Sequence, residues 1–377
     1  MQVQFRRGVA LAAALSALSF GVAACGSSSD DNSSSTGSST GASSSNAKVG
    51  KVAVLLPDTK SSVRWETADR PLLEQAFKAA GVPVQIQNAQ GDKSTQQQQA
   101  EQAITNGAKI LLLTNLDSGS GAAIETQAAA KGVKVIDYDR LTLRGKADYY
   151  VSFDNVKVGQ LQGQGLVDCL NSGGAGKPRI AELNGSPDDN NATLFAQGYN
   201  SVLDPLYKAG KATKVADQSV PDWDNQQALT IFEQMLQRTG NKIDGVLAAN
   251  DGLANSVVSA LKSHKLKQLP VTGQDATTQG LQNILTGDQC MTVYKAIKKE
   301  ADAASKLAIA LSKGEQPAAG LVNGKSDDGS REVPSVLLTP VAVTKDNIKD
   351  TVLADGFVTR DDLCAGKYAD ACTKAGI

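Results

Sequence analysis

The chain of 377 residues holds one histidine, two tryptophans, seven tyrosines and seven phenylalanines. His264 lies in a Lys-rich run, Lys262–Lys267 (KSHKLK), and reads as a solvated helix end rather than a catalytic base. With no CxxC pair and a single histidine, a zinc site has too few ligands. No Gly-x-Gly-x-x-Gly follows a strand, and no Gly-x-Ser-x-Gly elbow joins a strand to a helix. The run Gly173-Gly174-Ala175-Gly176-Lys177 imitates part of a phosphate loop, but Pro178 stands where Ser or Thr is required. Basic and acidic residues number 38 and 39 with no basic stripe, which excludes a nucleic-acid footprint. No metal or cofactor is expected. Paired carboxylates remain, so composition alone leaves glycoside hydrolysis open.

Only the N-terminus carries a long apolar stretch. Arg6 and Arg7 precede a run from Gly8 to Ala24 without an acid, shorter than the roughly 20 apolar residues of a spanning helix. Residues 1–24 therefore read as a secretion signal. The run Val22-Ala23-Ala24-Cys25-Gly26 resembles a lipoprotein box, in which Cys25 becomes the lipidated first residue. Residues 25–47 are mostly Ser, Gly, Thr, Asn and Asp, which cannot bury enough surface to offset their ordering entropy. They read as a disordered tether with a reach on the order of 25 Å. Removing residues 1–24 takes away two Arg and leaves a net charge of about −3. An exported, membrane-anchored protein on the outer face of the cytoplasmic membrane is expected.

Besides Cys25 there are Cys169, Cys290, Cys364 and Cys372, an even number that suggests disulfides in an exported protein. Cys364 and Cys372 lie eight apart with Gly366 between them, so a local staple is expected. Elimination would then pair Cys169 with Cys290. Three connectivities exist, and spacing alone does not choose among them.

The remainder is built twice. Lys51–Leu56 (KVAVLL) is a continuous apolar run before Pro57-Asp58, the signature of a buried parallel strand. A helix at 70–80, an edge strand at 82–87, a helix at 96–106, a strand at 110–114, a helix at 122–130 and a strand at 133–137 follow. The order begins again at 179: strand 179–183, helix 192–209, strand 212–218, helix 225–238, strand 245–249, helix 254–263 and strand 270–273. First to third strand spans 59 residues in one half and 66 in the other; third to fourth spans 23 and 25. Such alternation makes an α/β fold of two doubly wound parallel-sheet lobes. Extended segments at 149–154, 291–294 and 334–343 read as crossings, giving a three-segment hinge with a helix at 295–313 returning to the first lobe. The expected lobes are 48–152 plus 295–336, and 153–294 plus 337–377.

Ligands of open parallel sheets bind beyond the carboxyl ends of the strands. Those loops carry Asp58, Arg64 and Trp65, then Asp139 and Arg140, in the first half. The second half brings Asp188, Asp189, Asn190, Asn191, Trp223, Asn250, Asp251, Gln274 and Asp275, and Lys295 follows the return crossing. The only two tryptophans fall one to each half. Carboxylates, amides and guanidinium groups pair with vicinal hydroxyls, and indole faces pack on the C–H faces of a pyranose. Singly, an Asp or Asn after a strand is as readily a helix N-cap, and an Arg as readily a surface ion pair. Together the set describes a sugar site.

The chain resembles the xylose-binding members of the ribose/galactose-type family of periplasmic sugar-binding proteins, from about Lys51 to Phe357. The resembling segments are Arg64-Trp65-Glu66 with Asp69-Arg70, Tyr138-Asp139-Arg140, Tyr150–Lys157, Gly185–Ala192 and Asn241–Asp244. Others are Ala249-Asn250-Asp251, Gly273–Ala276, Met291–Lys295 and Leu338–Pro340. The resemblance implies a periplasmic binding protein type I fold that closes on one monosaccharide, most readily D-xylose. It implies that Arg64, Arg140, Asp189, Asn191, Asn250, Asp275 and Lys295 hydrogen-bond the sugar while Trp65 and Trp223 cover its faces. The implied protein is a monomeric, non-catalytic component serving the permease and ATPase subunits of an ABC importer. The Pro221-Asp222 lead-in to Trp223 departs from the family pattern and puts the sugar preference in question. The sensor core of a sugar-responsive repressor shares the fold but would carry an N-terminal helix-turn-helix. A receptor presenting sugar to a membrane sensor is not distinguished from a transporter by sequence.

Overall fold

The computed structural model describes residues 49–174 and 176–377; the signal, Cys25 and the tether lie outside them. The described residues form one compact unit. Its first elements are β1 (Lys51–Leu56), α1 (Arg70–Ala79), β2 (Val84–Asn88), α2 (Lys93–Thr105), β3 (Ala108–Leu113), α3 (Ser118–Ala130), β4 (Lys134–Tyr138) and β5 (Tyr149–Phe153). Next come α4 (Asn155–Ser172), β6 (Arg179–Asn184), α5 (Asn190–Lys208), β7 (Thr213–Ser219), α6 (Asn225–Thr239), β8 (Gly245–Ala248), α7 (Asp251–Ser263), α8 (Thr278–Thr286) and β9 (Thr292–Tyr294). The chain continues with α9 (Ile297–Ser312), β10 (Gly324–Asp327), β11 (Glu332–Leu338) and β12 (Val341–Val343), and ends in short helices at Arg360–Leu363 and Ala369–Lys374.

The first sheet has the order β10-β11-β5-β4-β3-β1-β2, parallel except for β10. Its apolar runs are continuous because both faces are covered. Val52, Val54 and Leu56 of β1 join Ile110 and Leu112 in a core under α1 and α9, with Leu73 and Phe77 one helical turn apart. Ala53, Leu55, Leu111 and Leu113 face the opposite way, into a core with Ala100, Ala103, Ile124 and Ala128 of α2 and α3. Successive side chains of one strand thus enter two cores.

The second sheet is β7-β6-β8, all parallel, packed among α4, α5, α6 and α7. The close approach of α4 and α5 needs glycine. A Cβ on Gly159 would lie 2.0 Å from the Phe195 carbonyl oxygen, and one on Gly198 would lie 2.1 Å from that of Val156. The strand expected at 270–273 is instead a single bridge, Val271 to Val246. Pro270 has no N–H to extend the ladder, and Val293 N donates to the Gly273 oxygen as β9 takes over.

The chain passes between the sheets three times: after β5, after β9, and between β11 and β12, the last pairing antiparallel with β9. The antiparallel edge strand β10 and helices α4 and α8 had no counterpart in the sequence-based alternation. Tail residues Ile348, Val352, Leu363 and Cys372 pack with Leu281 and Ile284 of α8. No helix among the described residues is long and apolar enough to cross a membrane.

Both disulfides are formed: Cys364–Cys372, and Cys169 of α4 with Cys290 just before β9. Their sequence separations are 8 and 121. Loop-closure entropy then makes their contributions about 2.5 and about 5 kcal/mol. Urea unfolding of the two Cys-to-Ser double variants should show the larger loss for the 169/290 pair. Equal losses would mean that local packing, rather than chain entropy, decides the effect.

Candidate functional site

Loops at the carboxyl ends of the strands meet around one cavity of about 340 Å³, open solvent included. All ten expected residues line it. Arg64, Trp65, Asp139 and Arg140 come from the side of the first sheet, Asp189, Asn191, Trp223, Asn250 and Asp275 from the second, and Lys295 follows β9. Ser61, Ser62, Phe195 and Gln274 complete the lining. Phe195 lies one helical turn beyond Asn191 on α5, a spacing from which it could have been found.

Asp139 is the hub. One carboxylate oxygen accepts from Arg64 Nη1 at 2.8 Å and Lys295 Nζ at 3.1 Å; the other accepts from Asn191 Nδ2 at 2.9 Å. Its carbonyl oxygen accepts from Tyr150, Ser152 and Asn191. Its φ of +65° lies in the left-handed region, which a non-glycine residue holds only where surrounding bonds over-determine it. Burial pushes the Asp139 carboxyl up, but Lys295, Arg64 and Arg140 together outweigh it and hold the group well below the usual carboxylate range.

Arg64 is locked from behind. Asp69 takes its Nε and Nη2 at 2.9 and 2.7 Å, and Glu300 of α9 takes Nη2 at 2.6 Å. Tyr138 donates to the same Asp69. Four of the five guanidinium donors are thereby engaged, which fixes the group with its Cζ 4.4 Å from the Trp65 ring centroid. Glu300 was absent from the sequence reading. Its only signal there is an acid on the buried face of an amphipathic helix. Burial first, then the nearby Asp139 and Asp69, push Glu300 up to about 8 against the pull of Arg64 and Lys295.

Two residues cap helices and line the cavity at once. Asp189 Oδ1 accepts from Asn191 N at 2.9 Å, capping α5, while Oδ2 accepts from Trp223 Nε1 at 3.1 Å and forms an ion pair with Arg140, whose Nε lies 3.1 Å away. Asn250 Oδ1 caps α7 through Leu253 N at 2.9 Å, and its NH₂ has no partner among the described residues. Capping uses one face of each side chain and leaves the other to the cleft. The benzo ring of Trp223 packs against Gly185, where a Cβ would come within 2.0 Å of it, and meets Phe195 edge-on at 6.4 Å. Trp223 and the preceding Asp222 have φ of +56° and +54°.

On the far side, Asp275 has a φ of +100° and accepts from the Gln274 amide. Burial raises its carboxyl to about 6, Asp139 and Asp69 adding to the effect while Lys295 and Arg64 oppose it. Behind it Asp251, raised by burial to about 7, accepts from Gln289, Thr292 and Thr277 and so holds the β9 crossing. Asp58 faces inward to Ser61, whereas Asp188 points to solvent near Lys93. His264 ends α7 on the surface, 3.4 Å from Glu233. No group of three metal-ligating side chains occurs among the described residues.

Residues 52–316 match the family model of the periplasmic binding protein domain. The D-xylose-binding periplasmic protein of Escherichia coli is 38% identical over 84% of this chain and 94% of its own length. A multiple sugar-binding periplasmic receptor of Rhizobium radiobacter is 35% identical over 84% and 93%. An ABC transporter solute binding protein from Clostridium phytofermentans, solved with bound β-D-glucose, superposes with a TM-score of 0.76 and 32% identity, covering 83% and 99% of the two chains.

The buried acids set the pH dependence of the unliganded protein. Asp275, Asp251 and Glu300 have folded values raised above the ordinary 3.8 and 4.5. Their contribution is full below those ordinary values and is lost as pH rises through about 6, 7 and 8. Asp139 works in the opposite sense: its contribution is present above 3.8 and lost as pH falls through its lowered value. Urea midpoints should therefore peak near pH about 4 to 5 and decline toward pH 9. Glu300→Gln should flatten the last part of that decline. An unchanged slope above pH 7 in this variant would remove Glu300 from the account.

Proposed function

The chain belongs to the periplasmic binding protein domain family, and from that premise we propose that it is a non-catalytic receptor closing on one monosaccharide, D-xylose in preference to other aldoses. The observation that carries this reading is the convergence of three cations, three carboxylates, three amides and both tryptophans on one buried cleft. A sugar offers no net charge to match a cation or an anion. It offers paired donors and acceptors on its rim and apolar C–H faces, which this lining complements. The xylose-binding relative favours xylose; the glucose-bound and multiple-sugar relatives leave other aldoses as weaker ligands.

In this reading Arg64, Asp139 and Arg140 meet the sugar from one lobe and Asn191, Asn250 and Asp275 from the other. Sugar therefore loads on one lobe of the open form and gains the remaining bonds on closure. The moving bodies are residues 48–152 with 295–336, and 153–294 with 337–377. The ten cleft residues form the ligand shell, and the loaded protein delivers its sugar to the membrane subunits of an ABC importer. Cys25 is the proposed lipid anchor on the outer face of the membrane. Cys25→Ser should then give an unlipidated or unprocessed product, and cytoplasmic fractionation of the wild type would refute export.

Calorimetry with xylose, glucose, ribose, arabinose and galactose tests the ligand class. Saturable heat is expected with xylose and smaller or weaker responses with the rest. Arg140→Ala and Asp275→Ala should each weaken binding at least about tenfold, because partners left buried and unpaired cost about 1–3 kcal/mol. His264→Ala should leave it unchanged. No heat with any of the five sugars would refute the ligand class. Wild-type affinity in both folded cleft variants would refute the site.

A further inference from the structure

A second cavity of about 630 Å³, open solvent included, adjoins the first. The two share Ser61, Arg140, Asp189 and Trp223, so the wall between them is made of side chains that face both. It too is bounded from both halves of the fold. Lys60, Gln90 and Lys93 stand on one side, and Asp222 and Asp224 on the other.

Several polar groups there are uncommitted among the described residues. Arg140 engages Asp189 through Nε, the Asn115 carbonyl through Nη1 and the Ser61 hydroxyl through Nη2. The two hydrogen bonds use two of its five N–H donors, and the Nε contact with Asp189 is an ion pair at 3.1 Å. The Asp222 carboxylate and Lys60 ammonium make no hydrogen bond, and Gln90 uses only its oxygen, toward Thr59. Asp222 and Trp223 both hold left-handed backbone and both line this cavity. Lys93, bonded to Asp117 at 3.2 Å, reaches Asp188 at 3.7 Å across the rim.

This lining selects a class of occupant. A free anion would meet Asp189, Asp222 and Asp224, and a free cation would meet Lys60, Lys93 and Arg140. An uncharged group rich in hydroxyls suits carboxylates on one wall and ammonium groups on the other, with an indole edge between. That chemistry is also the chemistry of the first cavity. We propose that the second cavity is a subsite for another pyranose ring, so that the closed cleft also holds a disaccharide. One ring would occupy the first cavity, and its glycosidic oxygen would lie at the Arg140–Asp189 wall. The inference rests on the aldose reading of the first cavity and extends it.

Calorimetry of the intact protein with D-xylose and with the β-linked positional isomers of xylobiose tests it. At least one isomer should bind within about tenfold of xylose, a difference of roughly 1.4 kcal/mol or less. A Lys60→Ala, Asp222→Asn double variant should weaken that isomer by at least about threefold, less than one such step, and leave xylose unchanged. Asn keeps the left-handed backbone at 222 accessible. Xylose binding with no response to any isomer overturns the subsite and spares the aldose reading. Equal effects of the variant on both sugars, or none on either, also overturn it. Failure of every sugar, xylose included, removes the aldose reading and the subsite with it.

Discussion

A buried carboxylate between two cations, Asp139 with Arg64 and Lys295, is the constraint from which the cleft is organised. None of the three could be buried alone, since an isolated charge in the interior costs several kcal/mol. Their mutual dependence ties three distant parts of the chain: the loop after β1, the loop after β4 and the exit from β9. Asp69 and Glu300 then become necessary, because one guanidinium facing one carboxylate would leave donors unsatisfied. The left-handed turn at Asp139 is tolerated for the same reason. Its carbonyl is held by Tyr150 and Ser152 of β5 and its carboxylate by cations on both sides.

The division of labour at Asp189 and Asn250 carries the argument to the second sheet. A helix N-terminus after a parallel strand needs an acceptor for its first free N–H groups. One oxygen of each side chain meets that need and fixes the rotamer, which aims the remaining polar atoms; the second Asp189 oxygen is also held by Trp223 and Arg140. A helix cap and a cavity-lining group are therefore the same residue seen from two directions.

The strands of the first sheet were legible because burial on both faces leaves continuous apolar runs such as KVAVLL, which begins and ends where β1 does. The cleft residues were legible because strand ends place them, and all ten line one cavity. What escaped has identifiable causes. Residues 270–273 carry the composition of a strand, but Pro270 lacks a donor and β9 captures the next carbonyl. The sequence Gly324–Asp327 has no apolar alternation, since β10 bonds on one side only and buries little. Glu300 lies on a helix, where a line of sequence does not say which tertiary neighbour a face will meet, whereas Phe195 follows Asn191 by one helical turn and was within reach of the spacing.

The polar character of β10 has a consequence beyond the fold. The seven-stranded sheet ends at β10 on one side and β2 on the other. Lys325 and Asp327 stand at one margin, and Gln85, Gln87 and Asn88 at the other. An open sheet margin with apolar side chains is a template on which another chain can add strands. Charges and amides at both margins make that addition unfavourable, because each new strand would have to strip water from them. Resistance to amyloid-like stacking is thus written into the two strands that form the margins of this sheet.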